Sequence, residues 1–415
     1  MPLNLRIGFF LATRALRRAS LWTTGLIIGV MVLTFLNLVV VSGILVGLIQ
    51  GSIEQWRTEY TGDVIISTLT DKKFIENSPN VIGIINGLPQ IEKYTTRYRE
   101  SGTLEANYKT RKDTDKPNTT GAQISGIDPY QENAVTGVAK KIVEGSYLTA
   151  NDYDQVLLGH YLLSQYVPID NPDFAALNNV GVGTKIRLTV GGVTREVTVK
   201  GVVKSKVDEV SRAVYMVDTQ FRSIIGRNDG NVDVIALKLK KGEDPEAVKE
   251  ALLLRGVGTL AKVQTFEDAQ PKFLKDIVSM FNTLGSAFGS IGLVVASITI
   301  FIVVFINAIT RRKFIGILKG IGISGRAIEV SYIFQSIFYA VVGSGIGLFL
   351  VYVFLVPLFQ AHPIDFPFSD GILVAPLDST LYRVGLLIFA TVIAGYIPAR
   401  MIIRKNTLDS ILGRN

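Results

Sequence analysis

The chain of 415 residues contains no cysteine, so disulfides, thiolate nucleophiles and cysteine-ligated zinc are excluded. Only two histidines are present, His160 and His362. His160 lies in Leu-Leu-Gly-His-Tyr-Leu-Leu and reads as structural, and His362 stands alone. With no cluster of His, Cys and carboxylate, neither a zinc centre nor a histidine-based triad can be assembled. A phosphate loop is missing as well. Gly181-Val-Gly-Thr-Lys185 and Gly201-Val-Val-Lys-Ser205 do not follow the G-x-x-x-x-G-K-[ST] order, so no nucleotide site is encoded. The most telling scarcity is of charge: residues 19–53, 277–310 and 330–364 hold no Asp, Glu, Lys or Arg, and 384–399 is a shorter run of the same kind. An ion or solute channel would place charges inside its spans. These runs fit helices that transmit motion or handle apolar cargo.

What is present is hydrophobicity gathered into blocks. Hydrophobic residues make up 48% of the chain, and the four uncharged runs read as four membrane-spanning helices. The net charge of +8 could suggest nucleic acid, but residues 51–276 are balanced, with 29 Lys and Arg against 30 Asp and Glu. The excess cations flank the runs: Arg6, Arg14, Arg17 and Arg18, then residues 311–326, then Arg400, Arg404, Lys405 and Arg414. That distribution is a topology signal and not a nucleic-acid footprint. The positive-inside rule places both termini and the 311–326 loop in the cytoplasm, and long domains such as the middle segment cross largely regardless of charge. The run after Arg18 exceeds the 7 to 15 residues typical of a signal-peptide core, so it reads as a retained anchor.

Taken in order, residues 1–18 read as an interfacial amphipathic helix with Leu5, Phe9, Ala12 and Leu16 on one face. Residues 19–50 form the first span and the start of a stalk, because 35 uncharged residues make a helix of about 50 Å against a hydrocarbon core of about 30 Å. Residues 51–265 form an extracytoplasmic α+β domain of two lobes. Within it, 63–68, 185–190, 196–203, 232–239 and 261–265 read as strands, with Gly191-Gly192 turning a hairpin. Asp244-Pro245-Glu246 starts a helix through Leu254, and 108–120 reads as a solvated loop. Residues 266–310 read as a second stalk and span, with Pro271 tolerable in the first helical turn. There follow a cytoplasmic helix at 311–325, a third span at 326–357, an outer loop at 358–379, a fourth span at 380–400 that Pro398 would kink or stop, and a cytoplasmic tail at 401–415. The fold class is thus four transmembrane α-helices with a large extracytoplasmic α+β domain inserted between helices 1 and 2. Gly25 with Gly29, Gly43 with Gly47, and Gly285 with Gly289 are spaced for close packing within a subunit or in a dimer.

The stretch 311–325 carries four cations and no acid and keeps Ile315, Leu318 and Ile321 at helical spacing, so it reads as an amphipathic handle at the inner membrane surface. Its sequence, Arg-Arg-Lys-Phe-Ile-Gly-Ile-Leu-Lys-Gly-Ile-Gly-Ile-Ser at 311–324, closely resembles the R-R-K-E-I-G-I-L-K-A-I-G-A-S signature of ABC-transporter permeases of the FtsX, MacB and lipoprotein-releasing (LolC and LolE) family. Tyr396-Ile-Pro-Ala-Arg400 resembles that family's Y-P-A-R element with Ile397 inserted. Ser125-Gly-Ile-Asp-Pro-Tyr-Gln-Glu132, Glu144-Gly145 and Val156-Leu-Leu-Gly159 resemble its periplasmic core pattern.

The resemblance implies a permease subunit in a bacterial cytoplasmic membrane that dimerises with a second permease copy, identical or related. It would pair with a separate ABC ATPase that holds the ATP and magnesium; no cofactor or enzymatic activity is expected in this chain. It implies a coupling helix in which Ile315, Gly316, Leu318 and Lys319 touch the ATPase, Arg311, Arg312 and Lys313 sit at lipid headgroups, and Phe314 and Gly322 complete the motif. Phe314 departs from the family's Glu and Gly320 from its Ala. Membrane lipid is a further partner, and an outer adaptor or a cell-wall hydrolase is consistent with the family; nucleic acid is not. The leading expectation is ATP-driven export or extraction of a lipoprotein, lipid-like or peptide cargo by mechanotransmission. The alternatives are an FtsX-like regulator of a cell-wall hydrolase, and a membrane-anchored sensor or adhesion protein without an ATPase.

Overall fold

The computed structural model describes residues 3–112, 116–167, 175–310, 312–366, 369–371 and 373–403. Arg311 and the tail from Arg404 onward, including Lys405 and Arg414, lie outside them. The chain begins with α1 (Leu3–Arg17) and then α2 (Leu21–Trp56), a single helix of 36 residues. A π-helical turn over Arg57–Thr61 ends it. At 1.5 Å per residue α2 is about 54 Å long. Two compact units divide the chain, one holding most of residues 1–49 and 276–415 and the other built on residues 50–275.

The second unit is a ten-stranded mixed sheet with helices against it. Its strands are β1 (Val64–Ser67), β2 (Ile91–Glu105), β3 (Thr119–Ile127), β4 (Ile142–Gly145), β5 (Gln155–Gly159), β6 (Lys185–Val190), β7 (Val193–Val203), β8 (Ala213–Val217), β9 (Val234–Leu239) and β10 (Lys262–Thr265). Its helices are α3 (Ser78–Asn86), α4 (Pro129–Thr136), α5 (Asp208–Ser211), α6 (Asp218–Ile225) and α7 (Pro245–Leu254). The order is β10-β1-β9-β2-β3-β8-β5-β7-β4, and β6 pairs with both β2 and β7. Those last pairings close β2, β3, β8, β5, β7 and β6 into a ring. The strands make one continuous sheet with a closed part and an open part that share β2. That strand pairs with β9 up to Arg97 and with β3 from Arg97 onward.

Local chemistry explains several of these elements. Gly191 and Gly192 take φ of 55° and 82°, as a two-residue hairpin turn requires, and β6 and β7 pair directly across it from Val190 to Val193. The Asp244 carboxylate accepts from the Glu246 amide at 3.1 Å and Pro245 opens α7, so that helix begins where capping chemistry places it. Alternate residues of β6, Ile186, Leu188 and Val190, point into the ring and are almost fully buried.

His160 is buried beside Tyr161, with ring centroids 4.1 Å apart. Burial, reinforced by Lys204 and Arg212, pushes its pKa down to about 4. The neutral ring is thus preferred in the fold, and its stabilising contribution is present above the unfolded pKa near 6.5 and lost as pH falls from there towards 4. The effect is on the order of 2 kcal/mol. Melting of the full chain in detergent at pH 7.5 and pH 5 should show a larger acid-induced drop for the parent than for His160→Gln; equal drops would remove His160 from the account.

The first unit holds the remaining helices: α8 (Lys272–Thr310, 39 residues), α9 (Arg312–Gly320), α10 (Gly325–Leu350) continuing through a π-helical turn into α11 (Val356–Ala361), and α12 (Leu377–Ile403). The helix expected from Phe266 begins only at Lys272. Residues up to Pro271 form a turn held by Ala269 N to Thr265 O, and the Pro271 carbonyl accepts from Leu274 and Lys275. Proline has no amide to give and so marks the helix start. Pro398 does not stop α12, which runs five residues beyond it. Helical stretches over Leu21–Thr61, Lys272–Thr299, Gly325–Ala361 and Leu377–Met401 are long and apolar enough to cross a membrane.

Packing in this unit centres on α10. A Cβ at Gly343 would lie 2.3 Å from Met31 Cβ, and one at Gly347 2.3 Å from Phe35 Cδ1. Two glycines four residues apart thus receive two large side chains four residues apart on α2, which lets the backbones approach closely. Helix α1 also lies on α10: a Cβ at Gly8 would meet Val330, and Phe9 meets Phe334 edge-on at 5.4 Å.

Candidate functional site

Two places combine buried polar chemistry with long helices. The first is α9 and the turn after it. Gly322 has φ of 94°, a conformation L side chains avoid. Its amide bonds to the Lys319 carbonyl and that of Ile323 to the Leu318 carbonyl, both at 3.0 Å, which is the Schellman pattern of helix termination. Two residues later Ser324 caps α10, its Oγ accepting from the Ala327 amide at 3.3 Å and donating to Asn4 Oδ1 at 2.7 Å. The segment Gly-Ile-Gly-Ile-Ser therefore ends one helix and starts the next within five residues.

The faces of α9 differ in exposure. Ile315 and Gly316 are buried, Leu318 and Lys319 are half-buried, and Lys319 Nζ donates to the Ile403 carbonyl at 2.7 Å. Within the single chain Ile315 joins a core with Ile328, Tyr332 and Ile403. The free face carries Lys313, Phe314, Ile317 and Ile321, with Phe314 56%, Ile317 53% and Ile321 70% exposed. Apolar side chains surround this helix, so packing, and not spacing, selects the inner side. Arg312 lies in the helix, and Gly322 belongs to the terminating turn.

The second place is the C-terminal end of α2. Trp56 is 3% exposed and sits in a small core with Ile127, Leu157, Val203 and Tyr215. The π-helical turn that follows is held on three sides. Arg57 reaches the Asp63 carboxylate, with Nε 2.6 Å from Oδ1, and its guanidinium lies 5.1 Å from the centre of the Phe266 ring. Glu59, buried, receives Lys141 at 2.6 Å and the Ser205 hydroxyl at 2.5 Å. The Tyr60 carbonyl accepts from Arg97 at 2.7 Å.

Arg97 and Glu132 are both 2% exposed and form a two-pronged pair, with contacts of 2.7 and 3.0 Å. Thr95 and Thr136 hydroxyls complete the carboxylate's partners. Burial opposes the charge on Arg97, but Glu132 outweighs it and holds the guanidinium pKa above its ordinary value. Arg97 stands where β2 changes partners, so a single side chain joins both halves of the sheet to the end of α2. Asp128 of the same Ser-Gly-Ile-Asp-Pro-Tyr-Gln-Glu segment caps α4 by accepting from the Tyr130 and Gln131 amides, which aims Glu132 inward one turn later.

The remaining small-residue positions divide. A Cβ at Gly43 would lie 2.7 Å from Leu373, Gly47 is buried, and Gly285 and Gly289 face Leu45 and Leu38 of α2. Gly25 and Gly29 face open space. Among the described residues no group of His and carboxylates is arranged to hold a metal ion.

Comparison with known proteins gives matches along most of the chain. Residues 286–407 match the FtsX-like permease C-terminal family model, and residues 19–253 match the MacB-like periplasmic core domain. An uncharacterised ABC transporter permease of Methanocaldococcus jannaschii is 27% identical over 194 residues, covering 45% of this chain and 47% of that protein, so the match spans about half the length of the relative. Among solved structures, the periplasmic region of MacB from Actinobacillus actinomycetemcomitans is similar at 16% identity and a TM-score of 0.35, over 50% of this chain and 90% of that one. The extracellular domain of the noncanonic ABC-type transporter YknZ from Gram-positive bacteria is similar at 14% identity and a TM-score of 0.32, over 49% and 97%.

Proposed function

The chain belongs to the ABC-transporter permeases of the FtsX and MacB type, and from that premise we propose that it converts ATP hydrolysis by a separate subunit into movement of its extracytoplasmic domain. The observation that carries this reading is helix length. Helices α2 and α8 run 36 and 39 residues, about 54 and 58 Å, against a hydrocarbon core of about 30 Å. Each has a length to spare outside the bilayer, as a lever between two compartments needs. The free face of α9 is the contact for the ATPase, and the clamp around Arg57–Thr61 passes displacement to the sheet.

A second permease copy covers the membrane-exposed side of the bundle. In support, Leu284, Phe288, Ile291, Val295 and Ile298 along α8 are all exposed in the single chain. The spans carry no charged site at mid-membrane, which suits a lipoprotein, lipid-like or peptide cargo moved by the outer domains. The membrane is the bacterial cytoplasmic one, with both termini inside.

The absence of cysteine makes the topology directly testable. A single cysteine at Glu250→Cys, on the exposed side of α7, should react in intact cells with a membrane-impermeant maleimide. One at Lys313→Cys should react only after the membrane is opened. The reverse pattern would place the domain in the cytosol and end the reading.

A further inference from the structure

Between α1, α9 and α10 lies a cavity of about 300 Å³, at the small end of the range for ligand pockets. Arg14 and Arg18 line it together with Phe314, Leu318, Tyr332 and Gln335. Among the described residues no acidic side chain lines it. Among the described residues neither arginine has an ion-pair partner, and both are exposed. Two cations without ion-pair partners among the described residues, lining a mostly apolar cavity, match one chemistry, an anionic headgroup attached to a hydrocarbon chain. A soluble anion would gain nothing from the slot, and a zwitterionic lipid would bring its own cation towards the two arginines.

We infer that this cavity is a binding site for one anionic phospholipid of the cytoplasmic leaflet, seated with its phosphate on Arg14 and Arg18 and part of an acyl chain against Leu318 and Tyr332. The inference rests on the orientation given under the proposed function. Guanidinium groups suit phosphate because their donors meet its oxygens in pairs, and the juxtamembrane position adds attraction from an anionic leaflet. Because Phe314, Ile315 and Leu318 of α9 all line the cavity, the bound lipid acts as a wedge beside that helix. It fixes the angle at which Phe314 and Ile317 are presented.

The test is lipid retention by the full chain. After reconstitution in nanodiscs of phosphatidylcholine with one quarter phosphatidylglycerol, the chain is released into detergent and weighed by native mass spectrometry. One phosphatidylglycerol should be retained per chain and no phosphatidylcholine. Arg14→Gln with Arg18→Gln should lower retention about tenfold, whereas Arg14→Lys with Arg18→Lys should stay within about threefold of the parent. Arg6→Gln with Arg17→Gln, on exposed positions outside the cavity, should leave retention unchanged. Excess inorganic phosphate should not displace the lipid; displacement would mean a free-anion site. Equal retention of both lipids, or full retention by the Arg14 and Arg18 glutamine variant, would overturn the assignment. The measurement needs no ATPase, so its failure is separate from failure of the coupling reading.

Discussion

Ile317→Asp is expected to abolish the stimulation of the partner ATPase by this permease while leaving the permease folded. Ile317 is 53% exposed and shares the free face of α9 with Phe314 and Ile321, so a carboxylate there stays hydrated in the isolated chain. On docking, that carboxylate would be buried against an apolar anchor without a partner. Burying an unpaired charge in an interface costs several kcal/mol, and even about 3 kcal/mol corresponds to a loss of more than a hundredfold in affinity. Ile315→Asp supplies the contrast. Ile315 is 4% exposed in the bundle core, so its replacement should lower stability and yield of the permease itself. Stimulated ATP hydrolysis in reconstituted membranes, measured with melting of each variant, separates the two. Full stimulation by a folded Ile317→Asp chain would show that the free face is not the contact. Phe314→Glu restores the acid of the family pattern at an exposed position and should fold normally, with its effect confined to coupling.

The contrast between Ile315 and Ile317 also marks how far the residues could be read without coordinates. Uncharged runs announced the spans, the Gly191-Gly192 pair announced its hairpin, and Asp244-Pro245 announced the start of α7, because each depends on neighbours in the chain. The inner face of α9 depends on Ile328, Tyr332 and Ile403, which lie far along the chain, and apolar residues at 314, 315, 317, 318 and 321 left every side plausible. Strand β2 was hidden for a related reason. Its sequence, Ile-Glu-Lys-Tyr-Thr-Thr-Arg-Tyr-Arg-Glu-Ser-Gly-Thr-Leu-Glu, is too polar to suggest a central strand. It becomes one because Arg97 finds Glu132 thirty-five residues away. The Ser-Gly-Ile-Asp-Pro-Tyr-Gln-Glu resemblance pointed at the right segment without saying what its glutamate does.

That pair gives the second large effect. Glu132→Ala should destabilise the ten-stranded domain by about 3–5 kcal/mol, the usual cost of leaving a buried charge without its partner. Because domains are stable by only about 5–15 kcal/mol, the variant should accumulate poorly and melt far below the parent. Replacing both members, Arg97→Met with Glu132→Leu, removes the stranded charge and should recover a large part of the loss, as buried ion pairs replaced by apolar residues often do. Recovery will be incomplete, since the Tyr60 carbonyl and the Thr95 hydroxyl lose partners, at about 1–3 kcal/mol for a buried group left unsatisfied. The double variant therefore separates folding from transmission. Its sheet should form, while the Arg57–Thr61 turn, having lost the Arg97 bond to the Tyr60 carbonyl and keeping only that of Arg99 to the Tyr60 hydroxyl as its Tyr60 hydrogen bond to β2, should exchange its amide hydrogens at least tenfold faster than in the parent. Stimulation of the ATPase, which we propose runs through α9, should persist. Native exchange rates at Arg57–Thr61 in a folded double variant would mean that Arg97 stabilises the domain but does not hold the end of α2.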